Sequence, residues 1–234
     1  MTNSKSSFFA KLLFPQRCRF CNTVIDMREE TCKYCEENKN EITGEICMLC
    51  GFKAEDCVCK KHKNFYNAVA APYYYDGTAE KAIYNLKFNG IKSVANGLSH
   101  DMANCFSRYF ENYSFEYITY VPMTEKSMKQ RTFNQAQLLA EKVSDITGIP
   151  CIKILEKTVE TKTQHFLKEN ERTGNLLGVF EINESEFEKI QNARILLIDD
   201  IKTTGSTLNE CAKTLLIGGA AEVFCLTAAI VRKK

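Results

Sequence analysis

The sequence predicts an open, mainly parallel α/β sheet flanked by helices, preceded by a separate cysteine-rich module. Three observations predict it. From about Ala68 onward, apolar runs of strand length alternate with amphipathic stretches of helix length, the pattern of strand–helix–strand units. One of these runs, Arg194-Ile195-Leu196-Leu197-Ile198-Asp199, is apolar at every interior position, as expected of a strand buried on both faces of a parallel sheet. Eight of the twelve cysteines fall between Cys18 and Cys59, in a stretch with few branched aliphatic residues. The expected division is 1–64 for the cysteine-rich module with an N-terminal docking segment, and 65–234 for the α/β domain.

The elements follow in order. A strand over Ala68–Tyr75 runs into Asp76-Gly77, a turn signal. Helical stretches follow at Ala79–Phe88 and Val94–Phe110, then a strand from Glu116 that Pro122 stops. Phe133–Ile146 places Ala136, Leu139, Ala140, Val143 and Ile146 on one helical face. Strands are expected at Cys151–Leu155 and Val179–Ile182, and the apolar run at 194–199 follows them. A helix carries the stripe Leu208, Cys211, Ala212, Leu215, and Glu222–Val231 is the last strand. The interval Glu156–Asn175 lacks an apolar period and contains Lys157, Lys162, Lys168 and Arg172. It reads as a cationic lid or as a solvated loop.

Composition excludes several classes. With 44% hydrophobic and 26% charged residues among 234, the chain is an ordinary globular one, and its net charge of +2 gives no electrostatic prediction of nucleic-acid binding. No apolar run approaches the roughly 18–20 residues of a membrane span. Phe8–Phe14 is too short for a secretory core and reads as an amphipathic docking segment ended by Pro15. These features predict a cytoplasmic protein, in whose reducing surroundings a disulfide framework is disfavoured.

The front cysteines are spaced Cys18-x2-Cys21, Cys32-x2-Cys35, Cys47-x2-Cys50 and Cys57-x-Cys59. Two thiolates two residues apart can turn onto one ion, and two such knuckles complete a tetrahedral Zn²⁺ site. All eight are candidate ligands for two structural zinc ions, with the pairing open. A single filled site is the alternative, because Cys57-Val58-Cys59 is short and His62 could replace one of that pair. A stretch of about fifty residues buries too little apolar surface to fold alone. Structural zinc contributes on the order of 10–16 kcal/mol in small finger peptides. Cys105, Cys151, Cys211 and Cys225 sit in apolar surroundings and read as small core residues.

Ile195–Thr207 carries the chemistry. A buried strand ends in Asp199-Asp200, followed by the hydroxyl-rich turn Thr203-Thr204-Gly205-Ser206-Thr207 and an amphipathic helix. Ligands of open α/β sheets bind beyond the carboxyl ends of the strands. A helix start there offers unpaired N–H groups and a positive dipole end to a phosphate. Adjacent carboxylates suit sugar hydroxyls instead.

That combination resembles the phosphoribosyl pyrophosphate (PRPP) signature of type I phosphoribosyltransferases. The resemblance implies that Asp199 and Asp200 contact the ribose hydroxyls, and that Thr203, Thr204, Gly205, Ser206 and Thr207 cradle the 5′-phosphate. Leu86-Lys87-Phe88-Asn89-Gly90, Arg131-Thr132-Phe133-Asn134-Gln135-Ala136, Thr161-Lys162-Thr163-Gln164 and Arg172-Thr173-Gly174-Asn175-Leu176 narrow it to the ComF family, as do the cysteine pairs and Leu13-Phe14-Pro15. That family usually has glycine where Thr132 stands, and two residues between its last cysteines. The resemblance implies PRPP with Mg²⁺ as ligand, and a role in handling single-stranded DNA during natural transformation beside competence or DNA-translocation proteins. Phosphoribosyl transfer to an unidentified acceptor is the alternative. Arg131 and Lys126, then Lys87 and Lys162, are the candidate pyrophosphate contacts. Phe20, Tyr34, Phe52, Phe65 and Tyr66 are the aromatic residues that a single strand could stack on, or that the module's core could absorb. No general base is recognisable among His62, His100 and His165.

Overall fold

The computed structural model describes residues 15–57, 59, 64–157 and 179–232. Its centre is a five-stranded, wholly parallel sheet. The strands are β1 (Ala68–Ala70), β2 (Tyr73–Tyr74), β3 (Tyr117–Tyr120), β6 (Arg194–Lys202) and β7 (Glu222–Ile230), in the order β1-β7-β6-β3, with β2 continuing along β7 past β1. Ile195–Ile198 are completely buried, as expected of the central run. Each such side chain contributes about 1.5–3 kcal/mol of burial. The single strand expected over 68–75 is interrupted at Pro72, which lacks the N–H a ladder needs, and resumes as β2.

Helices cover both faces. α1 (Lys33–Glu37) belongs to the cysteine-rich module; α2 (Gly77–Phe88) and α3 (Val94–Phe110) follow β2. The α3 bounds match the expected ones, and its buried face includes Val94, Leu98, Met102 and Cys105. α4 (Glu125–Arg131) was not expected; Thr124 caps it by accepting from Ser127 N, a short helix fixed by its cap rather than by an apolar stripe. α5 (Gln135–Thr147) buries Leu139, Ala140 and Val143 and ends at Gly148 with φ 74°, a left-handed stop that glycine adopts readily. α6 (Ser206–Ile217) buries Leu208, Cys211, Ala212 and Leu215.

Two expectations need correction. The strand expected over Cys151–Leu155 is not formed: Cys151 makes one isolated bridge to Ile118, and the strand there is β4 (Leu155–Lys157). β4 pairs antiparallel with β5 (Phe180–Ile182) as a separate two-stranded sheet. An apolar run this short does not say which sheet it joins. β6 also runs three residues beyond Asp199, because Ile201 and Lys202 keep pairing with Ala229 and Ile230 of β7. Most of the interval expected as a lid, with Lys162, Lys168 and Arg172, lies outside the described residues, as do His62 and the segment Phe8–Phe14. Among the described residues, no helix is long and apolar enough to cross a membrane.

Candidate functional site

The carboxyl end of β6 brings the acid pair, the turn and the first turn of α6 together. Val121 N donates to Ile198 O at 3.0 Å, so the chain leaving β3 toward α4 emerges beside Asp199 and Asp200. Gly205 precedes α6 with φ 85°, a conformation that glycine adopts without strain. Thr203, Thr204, Ser206 and Thr207 are exposed and Gly205 is buried. Thr204 Oγ1 accepts from Ser206 N at 3.3 Å and lies 2.9 Å from Ser206 Oγ. The helix therefore starts inside the expected turn, and Ser206 and Thr207 form its first residues. An anion there would meet backbone N–H groups and the positive end of the α6 dipole.

Desolvation, and then the adjacent Asp200 carboxylate, push the Asp199 carboxyl up to about 8. Asp199 Oδ1 accepts from Asp200 N at 2.8 Å, and the charges of Lys87 and Lys157 act in the opposite direction. Asp200 is buried and pairs with Lys87, Nζ to Oδ2 at 2.8 Å. Lys87 is thus placed against the acid pair, and two acids with such different environments are typical of a functional corner.

Arg131 reaches the same neighbourhood. Its guanidinium lies 5.4 Å from the Phe88 ring, and Nη1 donates to Gln135 Oε1 at 3.4 Å. Asn134 explains the adjoining sequence: its Oδ1 caps α5 by accepting from Ala136 N and Gln137 N, while Nδ2 ties back to Val121 O at 3.0 Å. Thr132 has φ 64°, so the chain keeps a left-handed conformation with a β-branched residue, a conformation that glycine adopts more readily. Lys126 lies in α4, with its side chain outside the described residues, as is Lys162.

Sequence reasoning missed Lys202, and named Tyr66 only as a ring for stacking or for the module's core. Lys202 is buried, with Nζ 5.8 Å from the Phe52 ring. Its Cε would stand 3.2 Å from a Cβ on Gly205, and the Tyr66 hydroxyl 3.4 Å from it. Of the aromatics named for stacking, Phe20, Phe52 and Tyr66 are core residues; Tyr34 and Phe65 are exposed.

The eight front cysteines form two groups, Cys18, Cys21, Cys32, Cys35 and Cys47, Cys50, Cys57, Cys59, with all four sulfurs of each within 4.8 Å of one another. Cys21–Cys32 and Cys50–Cys57 sulfurs lie 3.6 and 3.7 Å apart, while Cys47–Cys59 and the closely spaced Cys57–Cys59 are nearer, at 3.4 and 3.1 Å. Four Zn–S bonds of 2.3 Å in a tetrahedron require about 3.8 Å, so both groups fit zinc. Burial alone would raise Cys21, but hydrogen bonds around its sulfur, first from Thr23, bring it down to about 6; burial pushes Cys35 up. In the second group, Cys47 falls to about 7 against the effect of burial, while burial raises Cys50 to about 11. Four such sulfurs cannot all ionise alone; a dication removes that conflict and releases their protons.

A double zinc ribbon domain model matches residues 9–63. The competence protein ComFC of Bacillus subtilis is 27% identical over 205 residues, 82% of this chain and 80% of that protein. The DNA utilization protein YhgH of Escherichia coli K12 is 35% identical over 114 residues, 47% of this chain and 48% of its own. Adenine phosphoribosyltransferase from Thermoanaerobacter pseudethanolicus superimposes with a TM-score of 0.37 at 14% identity, over 62% of this chain and 84% of that one. The expected resemblance to ComFC-type competence proteins is borne out, and so is the cysteine-rich zinc-ribbon module.

Proposed function

We propose that this protein binds PRPP with Mg²⁺ at the carboxyl end of β6 and acts in the handling of single-stranded DNA, with competence or DNA-translocation proteins as partners. One observation carries the reading: a buried strand delivers Asp199 and Asp200 to the same corner as a glycine-hinged helix start, with Lys87 beside them at 2.8 Å from Asp200. The acids suit the ribose diol, the amides of Gly205–Thr207 suit the 5′-phosphate, and Lys87 and Arg131 suit the diphosphate. Mg²⁺ would be held there by the diphosphate oxygens and water, and would offset the diphosphate's charge.

DNA handling is supported by the names of the relatives and by an exposed aromatic face. Tyr84 and Phe88 on α2 are 52% and 61% exposed, with ring centroids 5.0 Å apart. Lys81 lies 4.6 Å from the exposed Tyr34 ring, and Arg131 covers Phe88. Rings alternating with cations stack bases and neutralise phosphates without reading sequence.

Calorimetric titration with PRPP and Mg²⁺ tests the ligand. We expect saturable binding that Asp199→Ala with Asp200→Ala abolishes while circular dichroism stays unchanged; unaltered affinity in that double variant refutes the site. Phe88→Ala should weaken single-strand binding by about 1–3 kcal/mol, the scale of one stacked base. Pyrophosphate release from PRPP with a candidate acceptor would favour the transferase reading instead.

A further inference from the structure

We propose that the second cysteine cluster braces the phosphate-binding turn: zinc at Cys47, Cys50, Cys57 and Cys59 and an anion at Gly205–Thr207 stabilise each other through Tyr66 and Lys202. The proposal rests on the PRPP reading of that turn and adds a regulatory link to it.

Three sets of contacts join the two places. The Tyr66 hydroxyl donates to Leu49 O at 3.2 Å, inside the Cys47–Cys50 knuckle, and stands 3.4 Å from the position a Cβ would take on Gly205. Lys202, which ends β6, is only 6% exposed; its ammonium lies 5.8 Å from the Phe52 ring and 3.8 Å from that same Cβ position. Asn209 in α6 accepts from Phe65 N at 2.7 Å, while the neighbouring Asn64 Nδ2 donates to Leu49 O at 3.0 Å.

The knuckle is also held against the sheet. Val69 N of β1 donates to Met48 O at 2.8 Å, and a Cβ on Gly51 would stand 2.4 Å from Ile230 Cδ1. The packing beneath it is a small satellite core of Ile42, Phe52, Ala71, Tyr74 and Ile230, so a bound zinc ion would add much to its rigidity. Losing zinc releases the Leu49 carbonyl and Phe52, and with them the partners that position Tyr66 and Lys202. Conversely, an anion on the turn draws the Lys202 ammonium and holds the Phe52 side of the knuckle. By linkage, whatever zinc adds to anion affinity the anion adds to zinc affinity. The first cluster packs on α2 and α3 instead, with Thr78 Oγ1 donating to Cys35 O at 2.7 Å, and so serves as an internal control.

The test is pulsed thiol alkylation of the full-length, zinc-loaded protein under a chelator, read cysteine by cysteine by mass spectrometry, with and without PRPP and Mg²⁺. PRPP should slow labelling of Cys47, Cys50, Cys57 and Cys59 by about fivefold or more, the lower end of measured couplings, and leave Cys18, Cys21, Cys32 and Cys35 unchanged. Tyr66→Phe should return the ratio toward one while calorimetry still shows PRPP binding. PRPP that binds yet leaves the second cluster's rate unaltered, or slows both clusters equally, overturns the brace. If PRPP does not bind, the functional reading fails, and Gly205→Ala decides the brace alone. That Cβ crowds Lys202 Cε at 3.2 Å, touches the Tyr66 hydroxyl at 3.4 Å and sits at a left-handed φ, so it must speed labelling of the second cluster only; an unchanged rate overturns the proposal.

Discussion

The first cysteine cluster and the phosphate corner are built on opposite terms. Around Cys18, Cys21, Cys32 and Cys35 most groups are buried and matched, apart from Arg19 Nε, which is buried without a hydrogen-bond partner. Cys35 and Phe20 are fully buried, Asn85 Nδ2 donates to Cys21 O at 3.4 Å, and Arg19 is ion-paired with Asp101, which also accepts from the Tyr73 hydroxyl at 2.8 Å. At the carboxyl end of β6 the chain instead holds Asp199 protonated to about 8 and keeps Thr132 at φ 64°. Local strain of this kind persists where the surroundings over-determine it and is concentrated at functional sites. The contrast teaches that one region supplies stability and the other spends some of it.

Substitutions should therefore have opposite signs in the two regions. Cys35→Ser removes a wholly buried ligand of the first cluster; loss of a structural metal belongs to the mechanisms that exceed about 4 kcal/mol. We expect a chain that fails to fold cooperatively, whereas Cys57→Ser, on the partly exposed second cluster, should cost less than half as much in chemical denaturation. Equal losses would erase the distinction.

Asp199→Asn should stabilise, and increasingly so at high pH. The folded state holds the Asp199 proton up to about 8, while an unfolded aspartate releases it near 3.9. Over that interval the native state binds the extra proton, so the wild type loses stability as pH rises from about 4 through about 8. The variant escapes that loss. Its melting temperature should exceed the wild type's by several degrees at pH 9 and by little at pH 4; a constant difference would contradict the shift. Thr132→Gly should give the smallest gain, about 1 kcal/mol from relieving a left-handed β-branched residue, seen as roughly 2–4 °C in melting temperature.

Much of this was legible in the sequence, for reasons that can be named. The α3 bounds and the buried run of β6 follow from length and periodicity, and the eight thiols from their spacing. The misplaced strand at 151–155 was not legible, because a short apolar run carries no record of which sheet accepts it. Nor was the role of the Arg131–Gln135 segment: Asn134 is a helix cap whose partner, Val121 O, is visible only after folding. Lys202 and the place of Tyr66 escaped for the same reason. Tyr66 reaches Gly205 and its neighbour Lys202 from the opposite end of the α/β region, and no local pattern marks a contact of that range.

The central claim is that one corner clasps a sugar with Asp199 and Asp200 while the start of α6 neutralises its phosphate. A crystal structure of the zinc-loaded protein with PRPP and Mg²⁺ tests it most directly. The account predicts the 5′-phosphate within hydrogen-bond distance of the amides of Gly205, Ser206 and Thr207, and the ribose hydroxyls on the acid pair. PRPP bound elsewhere, or that corner filled by side chains at saturating ligand, would contradict it.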